Sequence, residues 1–489
     1  MAASWWWFLV AAVAVALFYY LVMEQLSYRR KKGPLPGPPL VVPFFGGIAQ
    51  ASPLGLSADY FLGRFVVFIR DTELTHRVLA NVRPDASHFI GHPFGKKLFG
   101  DHNLIYMFGD DHRELRRRIG PNFTPRALST YAAIQQRVIV AHIRRWLDDG
   151  SDANKPFPLR VPCRDMNLET SQTVFVGPYL AAEAREEFAR DYNLFNVGLM
   201  TMPVDLPGFA FRRAKQGVAR LVRTLGECAR ESKARMRAGG EPECLMDYWM
   251  QDTVLEMDEA AAAGGPPPAH TGGEEIGGYV FDFLFAAQDA STSSLCWAVS
   301  ALGSHPDVLA RVRAEVASLW SPGSGEPITT AQMAEMRYTQ AVAREVVRHR
   351  PPATMVPHIA GEAFRLAEGY TVARGATVFP SLYESSLQGF RNPAAFDPGR
   401  FFSEERREDV AFRRNFLAFG AGAHQCVGAV GQRYALNHLV LFMALFVSLV
   451  DFRRHATEGC DDLVYIPTIA PRDGCAVCLQ QRCAKLPSF

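Results

Sequence analysis

A chain of 489 residues with 48% hydrophobic content has material for a large apolar core, and its net charge of +2 is no excess that would direct it to nucleic acid. Its nine cysteines are odd in number and scattered from Cys163 to Cys483, which argues against a secreted disulfide framework. There is no internal repeat.

The first element is apolar. Trp5 to Met23 carries no charge and is long enough to cross a hydrocarbon core of about 30 Å as a helix rising about 1.5 Å per residue. Trp5–Trp7 at one end and Tyr19-Tyr20 toward the other suit the two interfacial belts. Arg29-Arg-Lys-Lys32 follows at once, so the positive-inside rule places the rest of the chain in the cytosol. A cleaved signal peptide wants its positive charge before the apolar run, and here the charge lies after it. Gly33-Pro-Leu-Pro-Gly-Pro-Pro39 is stiff because proline fixes φ. The expected division is an anchor at 1–28, a basic and proline-rich hinge at 29–45, and a catalytic body at 46–489, mainly α with small β-sheets.

Within the body, Arg64–Ile69 reads as a strand, and Ser129–Asp148 and Gly208–Ala238 read as helices. The loop Ala260–Glu275, rich in proline and glycine, joins two helices of one fold. Ile276–Leu302 is apolar on every side, as a buried helix is. It carries Phe285-Ala-Ala-Gln-Asp289-Ala-Ser291-Thr292, and a buried acid is expensive without a partner or a task. Inside the helical stretch Tyr338–Arg350, Glu345 and Arg348 are spaced to pair on one face. Phe396-Asp-Pro-Gly-Arg400-Phe401 supplies an arginine that could join them.

Phe419-Gly-Ala-Gly-Ala-His-Gln-Cys426-Val-Gly428 is a glycine-rich turn around one cysteine. Small neighbours let backbone and sulfur approach a flat macrocycle. A cysteine ligand pushes electron density onto haem iron and favours O–O cleavage. The bland alternative is a loop with a structural cysteine, a small core hydrophobe. Cys475-x-x-Cys478 and Cys483 lack a fourth zinc ligand nearby in sequence.

The order Glu-x-x-Arg, Phe-Asp-Pro-x-Arg-Phe, then Phe-x-x-Gly-x-His-x-Cys-x-Gly resembles the cytochrome P-450 family of haem-thiolate monooxygenases. The resemblance implies the fold of that family, with an N-terminal transmembrane helix. It also implies haem b bound through Cys426, use of O2, and electrons from NADPH delivered by a reductase. Glu345, Arg348 and Arg400 match a buried triad supporting the cysteine loop, and Phe419 and Gly420 match its approach to the cofactor. Arg116, His112, His358 and His424 match positions facing the haem propionates, where histidine is a departure from the usual pattern. Asp289 matches a proton-relay acid. The family's threonine after it is replaced by Ala290, with hydroxyls shifted to Ser291 and Thr292. The proline-rich segment resembles the hinge of microsomal members, which implies a single-pass protein of the endoplasmic reticulum membrane with a cytosolic catalytic body.

Longer phrases are similar to the sterol C-22 desaturases, notably their plant branch: Phe283–Ser294, Gly91–Gly100, His102–Gly109, Arg116–Pro125, Met202–Phe209, Arg350–His358 and Gln432–His438. This implies a double bond introduced at C-22 of a sitosterol-type side chain, giving a stigmasterol-type product. Candidate pocket residues are Phe285, Ala286, Ala290, Thr354, Met355, Val356, His92 and Leu104.

Three departures bear on activity. Few residues separate Gly46–Gln50 from Gly55–Tyr60, where the family has a helix; Ala429-Val-Gly431 is inserted after the cysteine loop; and Ala423 replaces a proline. Three extra residues turn a helix start by about 300° unless they loop out. Sterol hydroxylation, 14α-demethylation, or sterol binding without turnover therefore stand as alternatives.

Overall fold

The computed structural model describes residues 2–39, 41, 55–61, 64–81, 87–89, 95–100, 102–150, 155–465 and 468–489. The chain is mainly helical with small sheets and divides into two compact units, each described in turn.

The first unit comprises 1–91, 355–385 and 421–424. It opens with the helix Ala2–Lys32, which continues through the basic cluster. Its Val10–Lys32 segment, 23 residues, is long and apolar enough to cross a membrane, and its apolar window is not buried against protein. The inner end of this helix is clamped. Gln25 exchanges side-chain hydrogen bonds with both backbone groups of Val41, and the buried Tyr28 hydroxyl donates to Pro38 O at 3.1 Å. Lys32 Nζ adds a bond to Gly37 O at 3.0 Å.

Beyond the clamp lies a five-stranded sheet in the order Leu56–Phe61, Arg64–Ile69, Thr377–Pro380, His358–Ala360, Ser87–Phe89. Arg64–Ile69 and Thr377–Pro380 run parallel, and the other neighbours are antiparallel. The run Phe-Val-Val-Phe-Ile suits a central strand with two covered faces, and Phe65, Val67 and Ile69 are buried with Val378 and Leu366.

The second unit comprises 92–354, 386–420 and 425–489. At its centre runs the long helix Gly273–Ser304, which starts after a loop as its upstream glycines and prolines dictate. The helix Ala210–Arg237 packs closely on it, because Gly277 has no side chain to strike Val222 O. Helices Pro125–Asp149, Arg160–Ser171, Arg337–His349 and Gly428–Leu449 complete the surroundings. One core cluster joins Trp146, Leu295, Val299, Val342, Val346 and Phe442. A second, largely aromatic one holds Phe99, Phe195, Trp249, Tyr279 and Phe281.

Candidate active site

Cys426 sits two residues before the helix Gly428–Leu449, so its sulfur lies by a helix N-terminus, where negative charge is favoured. The turn is closed by Cys426 N donating to Phe419 O at 2.9 Å and Gly420 N donating to Leu417 O at 2.8 Å. Gly420 has φ +71°, a conformation that disfavours a side chain. At the tip of the turn Gly422, also at positive φ, abuts Leu79 O so closely that a Cβ would collide. Arg116 Nη1 donates to Gln425 O at 2.8 Å, bringing a guanidinium beside the cysteine. The Cys426 side chain is exposed, yet enough protein surrounds it that burial pushes its thiol pKa up, opposed by Arg116 and the Val427 N–H.

Midway along the long helix, small residues form an accessible arc. Ala286 is exposed, and Phe283, Ala287, Ala290 and Ser291 are half-buried, although most of their helical neighbours are buried. These positions recur at the three- and four-residue spacing of a single face. Ala287 and Val427, the neighbour of Cys426, pack against the same aromatic cluster.

The three candidate proton-relay residues are not brought together. Ser291 lies on the accessible arc. Asp289 lies at its margin and is buried, with Oδ1 3.7 Å from Arg164 Nε. Burial pushes its pKa up while Arg164 and Arg160 pull it down. Its Oδ2 has no hydrogen-bond partner among the described residues. Thr292 points the other way: its hydroxyl donates to Gln288 O at 2.8 Å and accepts from Asn167 Nδ2 at 2.9 Å. Asn167 Oδ1 in turn meets His438 Nε2 at 2.9 Å. That buried chain ties three helices together and occupies the threonine fully.

Glu345, Arg348 and Arg400 do meet, and all three are buried. Arg348 binds Glu345 in a bidentate fork at 2.6 and 2.8 Å and donates onward to Ser386 O and Pro393 O, each at 3.0 Å. Arg400 Nε reaches Glu345 Oε1 at 3.3 Å. Glu408 is a further member, accepting from Arg400 Nη1 at 3.1 Å and from Arg406 Nη2 at 2.6 Å, and Arg406 in turn pairs with Asp397 at 2.6 Å. Two buried guanidiniums against one acid were the only available hint of Glu408.

A family model described as "Cytochrome P450" matches residues 60–462. The chain belongs to the cytochrome P450 family. It is 56% identical to "Cytochrome P450 710A2" of Arabidopsis thaliana over 96% of this chain and 95% of that one. It is 31% identical to "C-22 sterol desaturase ERG5A" of Gibberella zeae over 94% and 90% of the two chains. A solved structure of a retinoic acid-bound cyanobacterial CYP120A1 superposes with TM-score 0.73 over 92% of this chain and 100% of that one, at 20% identity, and so shows the fold alone.

The residues present fit the thiolate-bound haem that this P450's family implies. An accessible but desolvated thiol, a neighbouring guanidinium for acidic substituents, a side-chain-free approach at Gly420 and an arc of alanines suit a flat, apolar, anionic ring. His112 and Arg116 occupy one face of the helix Gly109–Ile119, one turn apart, with His112 buried.

In the first unit, His358 Nδ1 donates to Val356 O at 2.8 Å, and burial pushes its pKa down to about 4. His424, half-buried, lies in the same unit and lowers that pKa further. Met355 bridges to Ser381, and Val356 N donates to Pro380 O at 3.2 Å. In the second unit, Thr354 and Leu104 are half-buried, and Phe285 packs edge-on against Phe99 and Phe195 with centroids 5.1 and 5.4 Å apart. His92 lies outside the described residues, as does the shortened segment after Gly46. The inserted Ala429–Gly431 continues the helix backbone from Gly428 and does not loop out.

Proposed function

We propose that this P450 introduces the C-22(23) double bond into a sitosterol-type sterol, giving a stigmasterol-type product. The likeness over nearly the whole chain to a protein named a C-22 sterol desaturase carries this reading. The accessible arc supports it, since Ala286, Ala287 and Ala290 present small apolar surface with Ser291 as the arc's hydroxyl. One O2, two sterol hydrogens, and a hydride and a proton from NADPH and water make two waters, the alkene and NADP+. A NADPH-dependent reductase is the proposed electron donor.

Haem ligated by Cys426 supplies the dioxygen chemistry when bound. Arg116 and His112 hold its acidic substituents, and the network of Glu345, Arg348, Arg400 and Glu408 fixes the segment leading to the cysteine turn. Asp289 takes up and releases a proton at Oδ2, the oxygen without a hydrogen-bond partner among the described residues, and Arg164 orients the carboxylate through Oδ1. Ser291, on the accessible arc, is the hydroxyl able to pass that proton onward. Hydroxylation and desaturation compete from the same start, and a difference of about 1.4 kcal/mol between their barriers shifts the ratio tenfold. Wall placement therefore decides the outcome.

Residues 1–28 anchor the protein in the endoplasmic reticulum membrane, 29–45 form its hinge, and the remainder is the cytosolic catalytic body. The test is conversion of sitosterol by the full-length membrane-bound protein with reductase and NADPH. A product lighter by two hydrogens supports the reading. A product that gains oxygen as the main species, or retained sterol without turnover, contradicts it.

A further inference from the structure

Asp282 lies on the long helix and is buried, yet no cationic side chain pairs with it among the described residues. An acid in that position is costly unless its oxygens are satisfied. They are satisfied by one short segment: Oδ2 accepts from Leu104 N at 2.6 Å and Oδ1 from Asn103 Nδ2 at 2.5 Å. Asn103, also buried, completes the turn by accepting from Ile105 N at 2.9 Å. One helical turn earlier on the same face, Gly278 has no side chain, and His102 O occupies the space a Cβ would need. Gly278 and Asp282 together seat the segment His102–Leu104 on the helix.

One turn later on that face comes Ala286, the exposed member of the accessible arc. The seated turn also carries Tyr106, whose ring packs at 6.1 Å on Phe99, which in turn packs at 5.1 Å on Phe285. A shift of the turn is therefore passed through Phe99 to Phe285, the residue before Ala286.

We infer that Asp282 is a positioning residue that latches the Leu104 turn to the long helix and so sets where the sterol side chain lies. The latch itself stands on the hydrogen bonds above; its effect on sterol rests on the proposed function.

The experiment compares full-length wild type, Asp282→Ala, and the exchange Asp282→Asn with Asn103→Asp. In the exchange, the amide introduced at 282 donates to the carboxylate introduced at 103. Its oxygen still accepts from Leu104 N, and Ile105 N keeps an acceptor. Four quantities are read: hydrogen exchange of the Leu104 and Ile105 amides, the reduced carbon monoxide spectrum, sterol-dependent spectral titration, and the ratio of oxygenated to desaturated product. Asp282→Ala loses both bonds to the turn and is expected to speed exchange at the two amides at least about tenfold and to require at least about tenfold more sterol. Oxygenated product rises, the carbon monoxide band stays, and the exchange restores all of these toward wild type. Should Asp282→Ala not fold, Asn103→Ala, which leaves the Leu104 bond, takes its place with a smaller expected change. Unchanged exchange at Leu104 overturns the latch. Faster exchange with unchanged sterol response and product ratio overturns the positioning role. A wild-type protein with a thiolate band but no sterol response fails the sterol reading instead, and amide exchange still decides the latch.

Discussion

Glu345 accepts from two guanidiniums in a place closed to water, so losing its charge strips Arg348 of its carboxylate and leaves Arg400 only Glu408, which it shares with Arg406. Glu345→Gln is expected to cost about 3–5 kcal/mol, the usual penalty for stranding a buried charge. Thermal unfolding measures it, and a loss under about 1 kcal/mol, typical of a surface pair, would contradict the network's role. Asp289→Asn keeps the shape and removes the titratable carboxyl. Turnover is expected to fall roughly a hundredfold, the lower range for general acid–base work, while the sterol-dependent spectral change persists. Equal turnover would remove Asp289 from the relay. The residues legible from sequence were those whose chemistry sits in one contiguous phrase, such as the turn around Cys426, or at helical spacing, such as Glu345 and Arg348. Glu408, Arg164 and Asn167 were not, because each matters through a partner remote in sequence. Ser291 and Thr292 were grouped by adjacency, though about 100° of helix rotation sends only Ser291 toward the accessible arc.

Helices and strands followed the hydrophobic pattern closely. Arg64–Ile69 is a strand with the bounds its run of aromatic and β-branched residues indicates, and Tyr338–Arg350 corresponds to the helix Arg337–His349. The loop expected at Ala260–Glu275 is shorter at both ends, since helices extend to Ala262 and from Gly273. Ala260–Ala262 are strong helix formers and continue the first helix, while the second begins at Gly273 behind its N-cap Gly272. Between elements, Glu169 on Arg160–Ser171 meets His142 at 2.9 Å and Arg145 at 3.1 Å on the neighbouring helix. The His142 hydrogen bond, aided by Arg145, holds the Glu169 carboxyl down at about 2 from an ordinary 4.5. Below 4.5 the unfolded chain takes up this proton before the native one does, so the pair's stabilisation is present above that pH and lost as pH falls toward 2. Glu169→Gln should flatten the dependence of unfolding free energy on pH across that window. An unaltered slope would mean the pair is not maintained in solution.

At the scale of the whole molecule, the family and its fold were legible because three motifs stand in order along the chain, and the matched region spans residues 60–462. The two-unit division was not, since the first unit gathers segments as distant as Leu56 and Pro380 into one sheet. The anchor makes its own prediction. Deleting residues 2–23 removes most of the apolar helix while leaving the Gln25 and Tyr28 clamp, so the protein should lose its carbonate-resistant membrane fraction and remain folded. Persistence of that fraction would place the anchor elsewhere.

The central claim is the reaction, and it is tested most directly with sitosterol deuterated at both C-22 and C-23, given to the membrane-bound protein with reductase and NADPH. Desaturation predicts a product without added oxygen that has lost one label from each carbon. A main product that has gained oxygen and lost label from only one carbon would show a hydroxylase and contradict the account.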